Sequence, residues 1–187
     1  MPSGPGPISE ELITEIITYI PAGIASFLLT SRQDTETIVA QQKKTKANTL
    51  QLVDSVSFEV YKKLRIELPG VSIVQVIHVV DPTSIDEARS IAPFVDMILL
   101  DSGNPQLAVK ELGGTGRRHD WNLSRKIIES VNKPVFLAGG LKAENVHEAI
   151  HTVKPYGLDL CSGVRTNGKL DEEKLKRFFS SVQRNSN

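Results

Sequence analysis

The sequence predicts an α/β protein with a parallel sheet, either an open doubly wound sheet or part of an eightfold barrel. Short apolar segments alternate with helical patterns along the whole chain, and these segments are hydrophobic throughout, as in strands buried on both faces. Glycines follow the last of them. With 187 residues and 40% hydrophobic content, the chain is predicted to form one domain over 1–187, with a flexible Pro/Gly-rich start at 1–7.

The order of elements is one helix followed by six strand–helix repeats. Ser9 is placed to cap the first helix, with Glu10 and Glu11 in its first turn and apolar residues at helical spacing after them. The strands are predicted at about 24–29, 49–53, 71–80, 95–100, 134–140 and 157–163. The later helices are predicted at about 34–46, 56–68, 81–91, 122–131, 143–153 and 171–182, with a long glycine-containing loop over 102–119.

The positions of the glycines separate the two architectures. No GxGxxG follows the first strand, so the dinucleotide-binding fingerprint is absent. Gly139-Gly140 and Gly163 instead follow the last two strands and lead into helices, as in the phosphate site of phosphate-binding barrels. A backbone without Cβ lets N–H groups approach phosphate oxygens closely. The glycines therefore favour the barrel.

Composition excludes several classes of function. Lys+Arg and Asp+Glu are both 22, so there is no global electrostatic case for binding nucleic acid or an anionic membrane. No apolar run approaches the roughly 20 residues that span a bilayer, and no signal peptide pattern opens the chain. The single cysteine, Cys161, leaves no internal disulfide and no Cys-rich zinc site. We therefore expect a cytoplasmic protein.

Four blocks of sequence carry a family resemblance. The segments 97–103 (MILLDSG), 113–121 (GGTGRRHDW), 136–150 and 157–175 resemble phosphoribosylanthranilate isomerase in sequence, order and separation, and 50–54 resembles it more loosely. The resemblance covers about 24–182 and implies a TIM (β/α)8-type barrel. The strands correspond to the third to eighth of that family. The expected fold is therefore an incomplete barrel with about six parallel strands, N-terminally truncated by the first strand, first helix and second strand.

The resemblance implies the Amadori rearrangement of N-(5-phosphoribosyl)anthranilate in tryptophan biosynthesis, an aldose–ketose isomerisation that uses no cofactor or metal. The family's general acid corresponds to Asp101, at the C-terminal end of a predicted strand. The family's general base is a cysteine in the first strand, and this sequence has no such segment. Cys161 lies in the last strand and is more simply a small, half-buried residue.

The phosphate site implied by the resemblance consists of Gly139, Gly140, Ser162 and Gly163, whose backbone N–H groups and hydroxyl are donors. The alternative is that these glycines only permit tight strand-to-helix turns. A loop over the site is expected to contribute Gly114, Thr115 and Gly116. The alternative there is an ordinary flexible loop. We expect Asp120-Trp121 to anchor the return of this loop.

Three positions depart from the family pattern. Val53-Asp54 stands where a His-Gly pair is usual, and Arg165 stands where an acidic residue commonly follows SGV. His78 lies near a position that is often basic. These differences concern the anthranilate end of the pocket, so they bear on which substrate the protein takes.

Three hypotheses about function follow. The chain is an isomerase of this kind, a non-catalytic phosphosugar-binding remnant, or another phosphate-binding barrel isomerase or epimerase, because fold alone does not fix function. The partner is a small phosphosugar in each case, with no nucleic acid and no membrane. A barrel without two strands would expose sheet edges and interior side chains, so we expect self-association or a complementing chain.

Overall fold

The computed structural model describes residues 7–103 and 118–183. Its helices are α1 (Glu10–Thr18), α2 (Thr35–Thr45), α3 (Phe58–Glu67), α4 (Thr83–Ile91), α5 (Trp121–Ser130), α6 (Val146–Val153) and α7 (Glu172–Gln183). Its strands are β1 (Phe27–Thr30), β2 (Thr49–Leu52), β3 (Ser72–His78), β4 (Met97–Asp101), β5 (Val135–Leu137), β6 (Gly157–Leu158), β7 (Arg165–Thr166) and β8 (Lys169–Leu170). Short 3-10 helices cover Ala92–Phe94 and Ser162–Val164.

The first six strands form one sheet in which every neighbouring pair is parallel. Their spatial order is their order in the sequence, from β1 to β6, and a helix follows each of the first five before the next strand begins. This arrangement confirms the predicted parallel α/β fold. Because every neighbouring pair is parallel, all six strands end on the same rim of the sheet.

The two faces of the sheet pack differently. Residues such as Leu50, Ile73 and Ile98 face the helices and join the larger apolar cluster. A smaller cluster contains the residues at the alternate positions of β3 and β4, namely Val74, Val76 and Leu99, together with Val53 and Ala138. Since side chains alternate across a strand, the smaller cluster marks the face that points away from the helices, which we call the inner face.

The inner face is strongly curved. Phe27 on β1 and Phe136 on β5 are four strands apart, yet their ring centroids are only 6.4 Å apart. In a flat sheet, four strand spacings of about 4.8 Å would separate them by roughly 19 Å. The sheet therefore curls towards its inner face, as the wall of a barrel does.

The structure corrects the predicted bounds of two late elements. The last strand of the main sheet ends at Leu158 rather than 163, because Cys161 leaves the extended conformation (ψ −85°) and Ser162–Val164 turns into a 3-10 helix. Helix α6 starts at Val146 rather than 143. The Asn145 side chain bonds both the Lys142 N–H and the Gly140 carbonyl, which holds the preceding residues in a turn.

In the sequence, a small antiparallel hairpin of β7 and β8 follows the last strand of the main sheet and precedes α7. This hairpin was not predicted. Asn167 and Gly168 form its turn, both with positive φ (51° and 76°). Within the described ranges, no helix has the length and apolar character needed to cross a membrane.

Candidate active site

The site lies at the rim of the sheet where β3, β4, β5 and β6 end. Asp101 is the last residue of β4 and pairs in register with His78, the last residue of β3. Both side chains are buried, and both lie on the inner face by the alternation of the strand. The predicted acid is therefore placed at the carboxyl ends of the strands, where barrel active sites are built.

The turn after β4 fixes the Asp101 carboxylate. Its Oδ1 accepts a hydrogen bond of 2.7 Å from the Ser102 backbone N–H. The Ser102 hydroxyl also points towards Oδ1, at 3.5 Å, which is the outer limit of a hydrogen bond. One carboxylate oxygen is thus held firmly by backbone and weakly by a side chain.

The predicted phosphate glycines lie in two turns that touch. Gly139 and Gly140 have φ of 81° and 64°, a left-handed conformation that favours glycine. At Gly163 a Cβ would lie 1.9 Å from the Leu141 carbonyl oxygen, so the turn after β6 packs directly on the turn after β5. Ser162, next to Gly163, is exposed. The structure thus brings Gly139, Gly140, Ser162 and Gly163 together, although their role as phosphate ligands stays a prediction.

The acid and the glycine turns are also neighbours. A Cβ on Gly139 would lie 3.0 Å from the Ser102 Oγ, the residue that follows Asp101. It would lie 3.1 Å from Nδ1 of His119. Both ends of the connection between β4 and α5 therefore lie against Gly139, in the connection between β5 and α6.

His119 is a site residue that the sequence analysis did not single out. Its Nε2 lies 2.7 Å from the Ser124 Oγ, and its buried Nδ1 has no hydrogen-bond partner. Burial lowers the pKa of His119 from 6.5 to about 4, an effect that the negative charges of Asp101 and Asp120 oppose in part. The ring is therefore neutral at physiological pH. The sequence signal was a histidine directly before the Asp120 helix cap.

Asp159 is a second missed residue. It directly follows β6, and the register places it on the inner face with Phe136 and Gly157. Part of the residue is exposed to solvent, but the protein atoms around its carboxyl group displace water. This desolvation, together with the negative charge of Asp101, raises the pKa of Asp159. The rim thus carries a second carboxyl group, whose pKa responds to the charge of Asp101.

The start of α5 holds the residues that lead into it. The Asp120 side chain accepts hydrogen bonds from the N–H groups of Asn122 and Leu123 and so caps the helix. The Arg118 guanidinium lies 3.6 Å from the centre of the buried Trp121 ring and pairs with Glu148 on α6 at 2.8 Å. Asp120 and Trp121 therefore fix the start of α5, whereas most of the loop that they were expected to anchor lies outside the described residues.

The remaining predicted positions lie in the hairpin, at the edge of this centre, or outside the described residues. Arg165 bonds the Gly168 carbonyl within the hairpin, and Cys161 is half-buried in the turn after β6. His78 Nε2 donates to the Val53 carbonyl at 3.1 Å. Gly114, Thr115 and Gly116 lie outside the described residues. Within 7–103 and 118–183, no group of three or more His, Cys, Asp or Glu side chains is arranged to hold a metal.

A curled parallel sheet with a carboxylate and glycine turns at its carboxyl rim defines the class of phosphate-binding (β/α) barrels. The sequence matches the N-(5′-phosphoribosyl)anthranilate isomerase family over residues 5–181, so the chain belongs to that family. The resemblance found in the sequence is thereby confirmed.

Individual relatives agree with this assignment. An N-(5′-phosphoribosyl)anthranilate isomerase of Methanosarcina mazei is 37% identical over 172 residues, which are 91% of this chain and 75% of the relative. The solved phosphoribosyl anthranilate isomerase of Thermotoga maritima superposes with a TM-score of 0.81 at 26% identity, covering 97% of this chain and 84% of that one. A further solved isomerase, at 23% identity and TM-score 0.78, shares the fold over 97% of this chain and 83% of its own. That protein was crystallised with reduced 1-(o-carboxyphenylamino)-1-deoxyribulose 5-phosphate.

Proposed function

We propose that this chain binds a phosphorylated ribose carrying an anthranilate group, and that Asp101 is its general acid. The observation that carries the proposal is the contact between the two halves of the site. The turn of Asp101 and Ser102 packs on Gly139, and the Gly139-Gly140 turn leads to Leu141, against which Gly163 packs. One small ligand can therefore reach the carboxylate and both glycine turns at once.

The chemistry assigned to these groups is that of the family. The Asp101 carboxyl group gives a proton to the furanose ring oxygen, and the ring C–O bond breaks to leave an open-chain Schiff base. A base then removes the proton from C2′, and the resulting enolamine becomes the aminoketose. The N–H groups of the glycine turns hold the phosphate while the sugar changes shape. No cofactor enters this scheme.

A second candidate function is phosphosugar binding without turnover. The observation that favours it is that the only cysteine of the sequence is Cys161, in the turn after β6, whereas the family's base belongs to the first strand. Under this reading the glycine turns and Asp101 bind ligand, and no group of the chain removes the C2′ proton.

Calorimetric titration with reduced 1-(o-carboxyphenylamino)-1-deoxyribulose 5-phosphate tests the binding that both readings share. We expect saturable 1:1 binding, and at least a tenfold loss of affinity when Gly140→Val blocks the approach of phosphate to the turn (~1.4 kcal/mol). Gly70→Asn, in an open turn away from the rim, is the matched control and should bind as the parent does. A parent chain that binds neither this compound nor inorganic phosphate would overturn the proposal.

Growth of a tryptophan auxotroph that lacks the isomerase separates turnover from binding alone. Rescue by the 187-residue chain, abolished by Asp101→Asn, supports an active isomerase. Binding without rescue supports the second candidate. In the same cells, a fluorescent fusion tests the cytoplasmic location that we infer from the composition.

We also propose that the 187-residue chain self-associates. In the part of the chain that the structure describes, no strand pairs with the outer edge of β1 or of β6. On the inner face of β1, Phe27 is 38% exposed and Leu29 is 46% exposed. Unpaired edges beside exposed apolar side chains favour association with another chain.

A further inference from the structure

Two histidines of the rim, His78 and His119, each have a buried Nδ1 without a hydrogen-bond partner among the described residues, and that of His119 faces the turn that follows the candidate acid. The His119 Nδ1 points to the space beside Gly139, where the Ser102 Oγ also lies. A Cβ at Gly139 would be 3.1 Å from the first atom and 3.0 Å from the second. Buried polar groups are rarely left without a partner, so this arrangement needs an explanation.

The groups on either side of the ring form a chain of hydrogen-bonding atoms. On one side, Nε2 meets the Ser124 Oγ at 2.7 Å, and that hydroxyl lies 3.2 Å from the Asp120 carbonyl oxygen. On the other side, the Ser102 Oγ lies 3.5 Å from Asp101 Oδ1. We take the Ser102 hydroxyl as the link between Asp101 and Nδ1, because its Oγ and Nδ1 flank the same point beside Gly139.

Such a chain has two complete arrangements, because a neutral histidine has one N–H donor and one acceptor and a hydroxyl does both. In the first, Ser124 donates to Nε2, Nδ1–H donates to Ser102, and the Ser102 hydroxyl donates to the Asp101 carboxylate. In the second, a protonated Asp101 donates to Ser102, Ser102 donates to Nδ1, Nε2–H donates to Ser124, and Ser124 donates to the Asp120 carbonyl. The two differ by the one proton on Asp101, and every other group keeps its number of protons.

We propose that His119 is a positioning residue for Asp101, and that its ring changes tautomer according to whether Asp101 is charged. The inference rests on the proposed function in taking Asp101 as the acid. An acid alternates between a neutral and a charged form during each turnover. The ring gives each form a complete set of hydrogen bonds and so keeps the Asp101 turn in one position.

The electrostatics around the ring suit this role. Among the described residues, Arg118, Asp120 and Asp101 are the charged groups that act on it. Burial keeps the ring neutral despite the two carboxylates, so both tautomers are available and neither carries a charge. The Ser124 contact holds the ring to α5 while the proton changes place.

Nitrogen NMR of the histidine rings in the full 187-residue chain tests the proposal directly, since the two tautomers have distinct ring-nitrogen shifts. At neutral pH, we expect His119 to be mainly the Nδ1–H tautomer in the parent. In Asp101→Ala and Asp101→Asn, which lack the negative charge, we expect a change of roughly tenfold or more in the tautomer ratio towards Nε2–H. His151, exposed on α6, is the internal control and should not change.

A second variant shows whether the effect passes through Ser102. In Ser102→Ala, or in Ser102→Gly if alanine prevents folding, removing the charge of Asp101 should no longer alter the His119 tautomer. An unchanged ratio in both Asp101 variants, or a response that persists without the Ser102 hydroxyl, would overturn the proposal. The measurement needs no substrate, so its result is independent of whether the chain binds the phosphosugar.

Discussion

At several positions of the rim, the choice of residue is limited by how closely neighbouring turns pack more than by side-chain chemistry. Gly163 is the clearest case, because the Leu141 carbonyl oxygen occupies the place of a side chain. Neither atom is free to move without opening the contact between two turns. The residue thus sets the separation of the turns that are proposed to bind phosphate.

We therefore expect Gly163→Ala to lower the free energy of unfolding by more than about 2 kcal/mol, since a methyl group cannot be accommodated 1.9 Å from a carbonyl oxygen. Chemical denaturation measures this change. Gly70→Asn is the control, because that glycine has φ 85° and open space around it, and asparagine tolerates this conformation. Equal stability of the alanine variant and the parent would contradict the packing described for the two turns.

His119 makes stability depend on pH in a defined window. Its pKa is lowered from 6.5 to about 4 in the folded protein, so between these values the unfolded chain binds a proton that the folded chain does not. The contribution of His119 to the free energy of unfolding is therefore fully present above pH 6.5. It falls as the pH drops towards 4, by up to roughly 3 kcal/mol.

Replacement by glutamine, which cannot be protonated, should flatten this part of the curve. Unfolding in denaturant at a series of pH values would compare His119→Gln with the exposed control His151→Gln. If the glutamine variant at 119 loses stability between pH 6.5 and 4 as steeply as the parent, the ring does not carry the effect.

At the scale of elements, α5 connects the rim to the outer layer of helices. Its cap residue Asp120 accepts two backbone hydrogen bonds, and Ser124 in its first turn contacts His119. The position of the His119 ring therefore depends on where this helix begins.

Asp120→Ala should cost about 1 kcal/mol of unfolding free energy, because it removes a side-chain cap from α5. Ser57→Ala is a matched control, since Ser57 precedes α3 but makes no side-chain cap bond there. Thermal melting of the two variants checks the difference. Similar losses in both would mean that the Asp120 cap bonds contribute little.

Secondary structure was predicted correctly where the apolar pattern was long. The predictions failed where the conformation of the backbone depends on contacts with residues distant in the sequence. Strand β3 follows from the run of β-branched residues, and α1 follows from the helical spacing of its apolar residues. The predicted strand 157–163 was too long, because the chain turns beyond Leu158 to pack Gly163 on a different connection. The hairpin had a signal in Asn167-Gly168, but strands of two exposed residues have no apolar pattern.

The candidate site was predictable only in part for the same reason. The role of Asp101 was predicted from the family resemblance, and the glycine turns were predicted from their positions after the last strands. They lie near one another because the carboxyl ends of parallel strands meet at one rim. His119 and Asp159 matter because of neighbours that are distant in the sequence, including Asp101 for both. No local pattern distinguishes such a histidine from one that only packs in the core.

At the scale of the whole molecule, the proposed self-association depends on the inner face. We expect sedimentation velocity to show concentration-dependent association, and Leu29→Arg, on the inner face of β1, to reduce it through charge repulsion. Ile66→Arg adds the same charge to α3 at a residue that is 76% exposed and is the control. A monodisperse monomer at all concentrations would show that the exposed inner face does not drive association.

The aromatic contact across the inner face also bears on how the protein folds. Neighbouring strands are consecutive in the sequence, so each can add to the sheet as the chain emerges from the ribosome, with only one helical connection to close. The contact between Phe27 and Phe136 instead joins residues 109 positions apart (136 − 27). It can form only after the fifth strand has been synthesised, which makes the curling of the sheet a late step in folding, after its strands have assembled one by one.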